Sequence, residues 1–212
     1  MKKIQNMPSN RAAKSNEKRG RILEAAIQAF SRKGYHQTRI SDIAKAANVA
    51  DGTVYLYFDG KGEILSTIFE DRMERFLEEG KKTLVGVDGA LEKLRRVIEL
   101  HLKDLGENPE LATVFQIELR HSSRFMELYS RSYLRDYFHL IAGILEEGQK
   151  QGDIRADLDV WMATKCIFGI LDEAATNWVL SKKNYRLHGA TPQILDFVLN
   201  GLSGSGPSHR GG

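Results

Sequence analysis

The chain has 212 residues, 42% hydrophobic and 28% charged, with a formal net charge of +3; that length holds one large domain or a small one joined to a larger one, and the composition excludes disordered and fibrous classes. No run of 18 apolar residues is present to span a membrane, the basic N-terminus lacks a secretory signal's apolar run, and the single cysteine, Cys166, excludes a disulfide framework, so a cytoplasmic protein is expected. Residues 1–70 carry 12 Lys and Arg against 7 Asp and Glu, the remainder 19 against 21, which points either to a local polyanion contact or to a merely solubilising basic segment.

Residues 1–16 are polar and aperiodic. They read as a basic arm with Lys2, Lys3, Arg11 and Lys14, either reaching DNA phosphates or simply a disordered terminus. A first helix is expected from Glu17, with Ile22, Ala25, Ala26, Ala29 and Phe30 on one face and Gly34 as a left-handed cap. Thr38 or Ser41 then caps a short helix whose apolar side is Ile40, Ile43, Ala44 and Ala47. Asn48 suits a left-handed turn, Val49 points inward, and Asp51 caps a second short helix running to Tyr57. Residues 59–63 turn into a helix over 64–84. Further helices are expected over 90–105, 110–129 (one or a pair, after the break at Pro109), 132–148, 159–180 and 192–202. Thr191-Pro192 starts the last of these, and residues 203–212 form a Gly/Ser-rich tail.

The expected fold class is all-α: an N-terminal three-helix DNA-binding domain with a helix-turn-helix, continuous with a C-terminal helical ligand-binding and dimerisation domain. The boundaries are 1–16 for the arm, 17–63 for the head, 64–202 for the body and 203–212 for the tail.

A short helix, a tight turn and a second short helix let the second enter the major groove. In that second helix Gly52 permits close approach and Thr53 can donate to a phosphate or base edge. Val54 or Tyr55 offers apolar contact to a thymine methyl, and the Tyr57 hydroxyl can anchor a phosphate. Lys61 and Thr38 stand at the starts of the following and preceding helices, where free N–H groups also favour phosphate. A small helical subdomain with surface tyrosines and no DNA partner would show the same periodicity.

The run from Ile43 through Ala44-Lys45-Ala46-Ala47-Asn48-Val49-Ala50-Asp51-Gly52-Thr53-Val54-Tyr55-Leu56-Tyr57 to Phe58, followed by Lys61 and Ile64-Leu65, resembles the DNA-binding signature of the TetR family of repressors. Ala25-Ala26, Phe30, Gly34-Tyr35 and Thr38 match as well, so this resemblance covers about residues 18–65. It implies a helical homodimer that represses by blocking a promoter and is relieved by a ligand in the body. Asn48 stands where the family often has glycine, and Asn tolerates the same backbone conformation.

Within the body, the segments 116–120, 148–154 and 168–179 resemble those of the fatty-acid-degradation regulators of Gram-positive and related bacteria. That resemblance implies release by long-chain acyl-CoA, an apolar tunnel and basic residues near its mouth.

From the residues themselves, candidate cavity walls are Phe69, Phe76, Leu94, Ile98, Leu102, Phe115, Leu119, Tyr133 and Phe138, each equally suited to plain core packing. Arg120, Arg124, Arg131 and Arg135 form either an anion site or a solvated face. For dimerisation the candidates are Leu140, Ile144 and Leu145 on one helix and Ala163, Ile167, Ile170 and Ala174 on another, with an intrachain core as the alternative use.

No cofactor or membrane partner is expected, and no enzyme. The chain has no nucleotide-binding glycine loop and no nucleophile elbow. Among the six histidines only the pair Glu118 and His121 makes a weak metal case. Adjacent Asp172 and Glu173 point in different directions on a helix. Two other readings stay open: a repressor sensing another hydrophobic ligand such as a drug, and an interaction protein that has lost DNA binding.

Overall fold

The structure, a computed structural model, describes residues 10–120, 132–181 and 185–203. It divides into two compact units, residues 1–69 and 70–212. The division falls later than the expected boundary at 63, because Ile64, Leu65 and Ile68 are buried side chains of the first unit.

The first unit contains α1 (Asn10–Lys33), α2 (Ile40–Ala46), α3 (Asp51–Tyr55) and the start of α4 (Lys61–Thr83). Helix α1 begins at Asn10 rather than near Glu17, since Arg11-Ala12-Ala13-Lys14 are strong helix formers with no breaker among them. Ile22, Ala26, Phe30, Ile43, Ala44 and Val54 are wholly buried, the 3.6-residue periodicity turned into a core.

Gly34 ends α1 at φ +82°, with its N–H on the Phe30 carbonyl at 2.9 Å. Neither Thr38 nor Ser41 caps α2. The N-cap is Arg39, whose N–H donates to the Asp42 carboxylate at 2.9 Å. That carboxylate also accepts from Lys33 at 2.6 Å, which with the Arg39 N–H holds its pKa below the usual value. Asn48 takes φ +54°, and the turn delivers the Val49 N–H to the Ala44 carbonyl at 3.0 Å. Helix α3 is capped by Ala50, with Asp51 as its first residue rather than its cap.

The second unit holds the rest of α4, then α5 (Ala90–Glu107), α6 (Pro109–Thr113), a π-helical turn at Val114–Glu118, α7 (Ser132–Gln151), α8 (Val160–Leu180), a 3-10 turn at Leu187–Ala190 and α9 (Thr191–Leu202). Helix α5 is the hub and packs on α6, α7, α8 and α9. Its Leu94, Val97, Ile98 and Leu102 are sealed from solvent.

Helix α7 continues past Gly148, where a turn is expected, and turns only at Gly152, which takes φ +83°. Gly148 serves packing instead. A Cβ there would lie 2.6 Å from Ile154 Cδ1 and 2.8 Å from Ala90 Cβ. Among the described residues the only extended pairing is an isolated bridge between Ile154 and Ser203, and no helix is long and apolar enough to cross a membrane.

Candidate nucleic-acid interface and effector site

Helix α3 and the residue after it present one face to solvent. Asp51, Gly52, Tyr55 and Leu56 are exposed, while Thr53 and Tyr57 are half-buried. A Cβ on Gly52 would meet nothing within 4 Å, so packing inside this chain does not require glycine there. The Tyr57 hydroxyl stays near the surface and accepts from Ser15 Oγ at 3.2 Å.

Three expected contact residues are turned inward. Val54 is fully buried, because a helix as short as α3 packs through one face and Val54 lies on it. Thr38 is buried with its hydroxyl donating to the Gly34 carbonyl at 2.7 Å and lying 3.2 Å from the Ala29 carbonyl.

The Lys61 ammonium meets the carbonyls of Tyr35 at 2.6 Å, His36 at 3.0 Å and Thr38 at 3.0 Å, above the Tyr35 ring at 4.7 Å. All three of its protons are engaged. Thr38 and Lys61 hold the turn between α1 and α2. Of the two apolar candidates it is Tyr55 that is exposed, at 57%, and Leu56 beside it is 82% accessible. The position of Leu56 was readable: two residues, about 200° of helix, separate it from the inward Val54.

In the body an aromatic cluster joins α4, α5, α7 and α8. Phe76 stands edge-on to Tyr137 with centroids 5.3 Å apart and to His101 at 5.8 Å. Phe168 stands edge-on to Phe138 at 5.1 Å and to Tyr137 at 6.1 Å. Phe76 and Phe138 belong to the expected walls. His101, Tyr137 and Phe168 are additions that α-helical periodicity could place on faces but not opposite one another.

Leu94, Ile98, Leu102 and Leu119 are buried, Phe115 and Tyr133 half-buried, and Phe69 is buried in the first unit. The carboxylate of Glu74, with Glu70 and Asp71 near it, pushes the Tyr133 phenol up.

A polar group adjoins this cluster. The π-helical turn, closed by the Leu119 N–H on the Val114 carbonyl at 2.8 Å, carries buried Gln116. Its Oε1 accepts from Thr176 Oγ1 at 2.9 Å and from Arg120 at 3.1 Å. Such turns recur at functional sites. Arg120 also pairs with Asp172, so its charge is partly neutralised within the chain. Arg124, Arg131 and His121 lie outside the described residues. Among the described residues no group of three His, Cys, Asp or Glu is placed to hold a metal ion.

Burial pushes the His101 imidazole down to about 4, opposed by the Asp172 charge, and pushes the Tyr137 phenol up.

The expected dimer residues are largely used within the chain. Ile144, Leu145, Ala163 and Ile167 are buried in the second unit's own core, and Leu140, Ile170 and Ala174 are half-buried. Large apolar groups left exposed on the last two helices are Trp161 at 44%, Met162 at 62% and Leu180 on α8, and Phe197 at 71% on α9, with Cys166 also exposed on α8.

Comparison with known proteins agrees with this division. Residues 22–68 match the family described as bacterial regulatory proteins, tetR family, and residues 69–201 match the C-terminal region of YsiA-like proteins. The chain is 38% identical to the fatty acid metabolism regulator protein of Bacillus subtilis over 85% of its length and 93% of that protein's.

A crystal structure of the FadR regulator from Bacillus subtilis in complex with stearoyl-CoA is similar, with a TM-score of 0.81, 38% identity, and coverage of 86% of this chain and 98% of that one. The fatty acid degradation regulator FadR from Bacillus halodurans is similar too, with a TM-score of 0.80, 36% identity and the same coverage. The chain belongs to the TetR family of bacterial regulatory proteins.

Proposed function

We propose that this protein is a cytoplasmic, homodimeric repressor that binds palindromic operator DNA, controls fatty acid degradation genes and is released by long-chain acyl-CoA. The observation that carries this reading is the likeness to a regulator bound to stearoyl-CoA, which extends over 98% of that chain and so includes both head and body. The exposed face of α3, with Gly52, Tyr55 and Leu56 outward and Tyr57 beside them, supports the DNA part. Exposed Met162, Cys166, Leu180 and Phe197 support pairing through α8 and α9, since a two-fold operator needs two heads about 34 Å apart.

Burying an acyl chain yields roughly 0.8 kcal/mol per CH₂. That is ample for binding, but only the difference in ligand affinity between the free and DNA-competent shapes can drive release. Helix α4 runs from Lys61 to Thr83, and a ligand-driven shift of its second half is the route by which release would reach the head. Arg120 is the described basic residue nearest the polar group of Gln116 and Thr176, and with Arg124 and Arg131 it would meet the CoA phosphates.

Selection of bound duplexes from a random pool tests the DNA-binding part. A palindromic site bound by an even number of chains is expected. Selected sites without two-fold symmetry, or no selected site, would overturn that part.

A further inference from the structure

Nε2 of His101 is the one buried side-chain nitrogen or oxygen without a hydrogen-bond partner among the described residues. Leaving such an atom unpaired is costly, and each case calls for an explanation. The residue is half-buried as a whole, yet this nitrogen is sealed from solvent. Phe76 and Tyr137 flank the ring, and an aromatic face is at best a weak acceptor.

The other ring nitrogen fixes what Nε2 can do. Nδ1 lies 3.0 Å from Tyr137 Oη, and Tyr137 is 1% exposed with no other hydrogen-bond partner among the described residues. A buried phenol that stays protonated donates its proton to the one acceptor in reach, so Nδ1 accepts. The neutral imidazole then carries its hydrogen on Nε2. The result is a preoriented donor beside an apolar cluster. The Asp172 carboxylate, which pairs with Arg120, is near enough for its charge to act on the imidazole.

We infer that the His101 Nε2–H donates to the carbonyl oxygen of an acyl ligand and registers it where the aromatic cluster meets the polar group. This deepens the acyl-CoA reading and rests on it. A long-chain thioester supplies one acceptor oxygen between a hydrocarbon chain and a charged head. Those three parts match Phe76, Phe138 and Phe168, the His101 nitrogen, and the exposed Arg120.

The test compares two ligands on the native protein and on three variants. Stearoyl-CoA carries the carbonyl, and S-octadecyl-CoA, a thioether, lacks it. The native protein is expected to prefer the thioester by about tenfold, one good hydrogen bond. His101→Phe should bind both alike, and His101→Gln, which keeps an N–H donor, should restore part of the preference. Tyr137→Phe keeps the ring but frees the tautomer and should weaken the preference, so a failure of His101→Phe to fold leaves the comparison intact.

With [1-¹³C]stearoyl-CoA, isotope-edited infrared spectra should place the bound carbonyl stretch at lower frequency in the native protein than in His101→Phe. Equal native affinities for the two ligands, or a thioester preference that survives in His101→Phe, would overturn the inference and leave acyl-CoA sensing standing. If stearoyl-CoA does not bind the native protein while operator DNA does, the acyl-CoA reading itself fails and the inference with it.

Discussion

Lys61 reaches back across the head so that its ammonium stands 2.6 Å from the carbonyl oxygen of Tyr35, and this makes it a brace for the turn after α1 before it is anything for DNA. Charge-assisted hydrogen bonds of this kind contribute about 1.5–3 kcal/mol. Lys61→Met should therefore lower unfolding stability by that order in urea denaturation. Its operator affinity should fall while the slope of log affinity against log salt stays unchanged. A slope reduced by about one would mean that Lys61 neutralises a phosphate directly.

Val54 and Leu56 divide packing from recognition. Val54→Ala removes buried methyl groups and is expected to destabilise the head by about 1–3 kcal/mol. Leu56→Ala should leave stability within about 0.5 kcal/mol and reduce discrimination at a thymine position of the operator. Thermal unfolding alongside binding to single-base operator variants checks both. Unchanged operator preference in Leu56→Ala would remove that leucine from the interface.

Gly148 has no room for a methyl group. Gly148→Ala would place a Cβ against Ile154 and Ala90, and overpacking of this kind costs about 1–3 kcal/mol. Combining it with Ile154→Ala should cost less than the sum of the two single changes, because the larger of the two clashing side chains is gone. Additive losses in denaturant melts would contradict this account of the crossing.

His101 gives the body a pH dependence with a definite sign. Its folded pKa is lowered to about 4 from 6.5, so the unfolded chain binds the proton first as pH falls. The stabilisation is fully present above pH 6.5 and is lost as pH drops from 6.5 to about 4, an effect on the order of 3 kcal/mol. The native protein should lose more stability than His101→Phe across that window. Parallel losses in the two proteins would show that the imidazole takes up its proton equally in the folded and unfolded states, contradicting the burial effect.

Exposed Met162 and Phe197 lie on the two last helices. Phe197→Glu should convert dimer to monomer in analytical ultracentrifugation with helix content retained, and should weaken operator binding because two heads no longer act together. A dimer that persists would move the interface elsewhere.

Much of the architecture was legible because helix periodicity and punctuation are local. Gly34 and Asn48 were read as left-handed positions, and both take positive φ. Gly148 misled because a glycine that ends a helix and one that admits a crossing chain are the same letter. The site was harder for a related reason. Periodicity ranks faces of one helix but not partners between helices, so it named Phe76 and Phe138 yet missed the pairing of His101 with Tyr137, 36 residues apart. It also offered Thr38, Val54 and Lys61 as DNA contacts but could not show that Thr38 and Val54 are buried and that Lys61 bonds to carbonyls of its own chain. For Ile144 and Ile167 periodicity left a dimer face and an intrachain core both open, and both are buried in the core.

The central claim is that a long acyl chain on CoA frees the protein from its operator. The most direct measurement is fluorescence anisotropy of a labelled selected operator, at fixed salt, titrated with stearoyl-CoA, with a short-chain acyl-CoA and with CoA alone. Release by stearoyl-CoA only, at concentrations that also saturate the free protein, is the predicted result. An operator complex indifferent to stearoyl-CoA, or released equally by CoA, would contradict it.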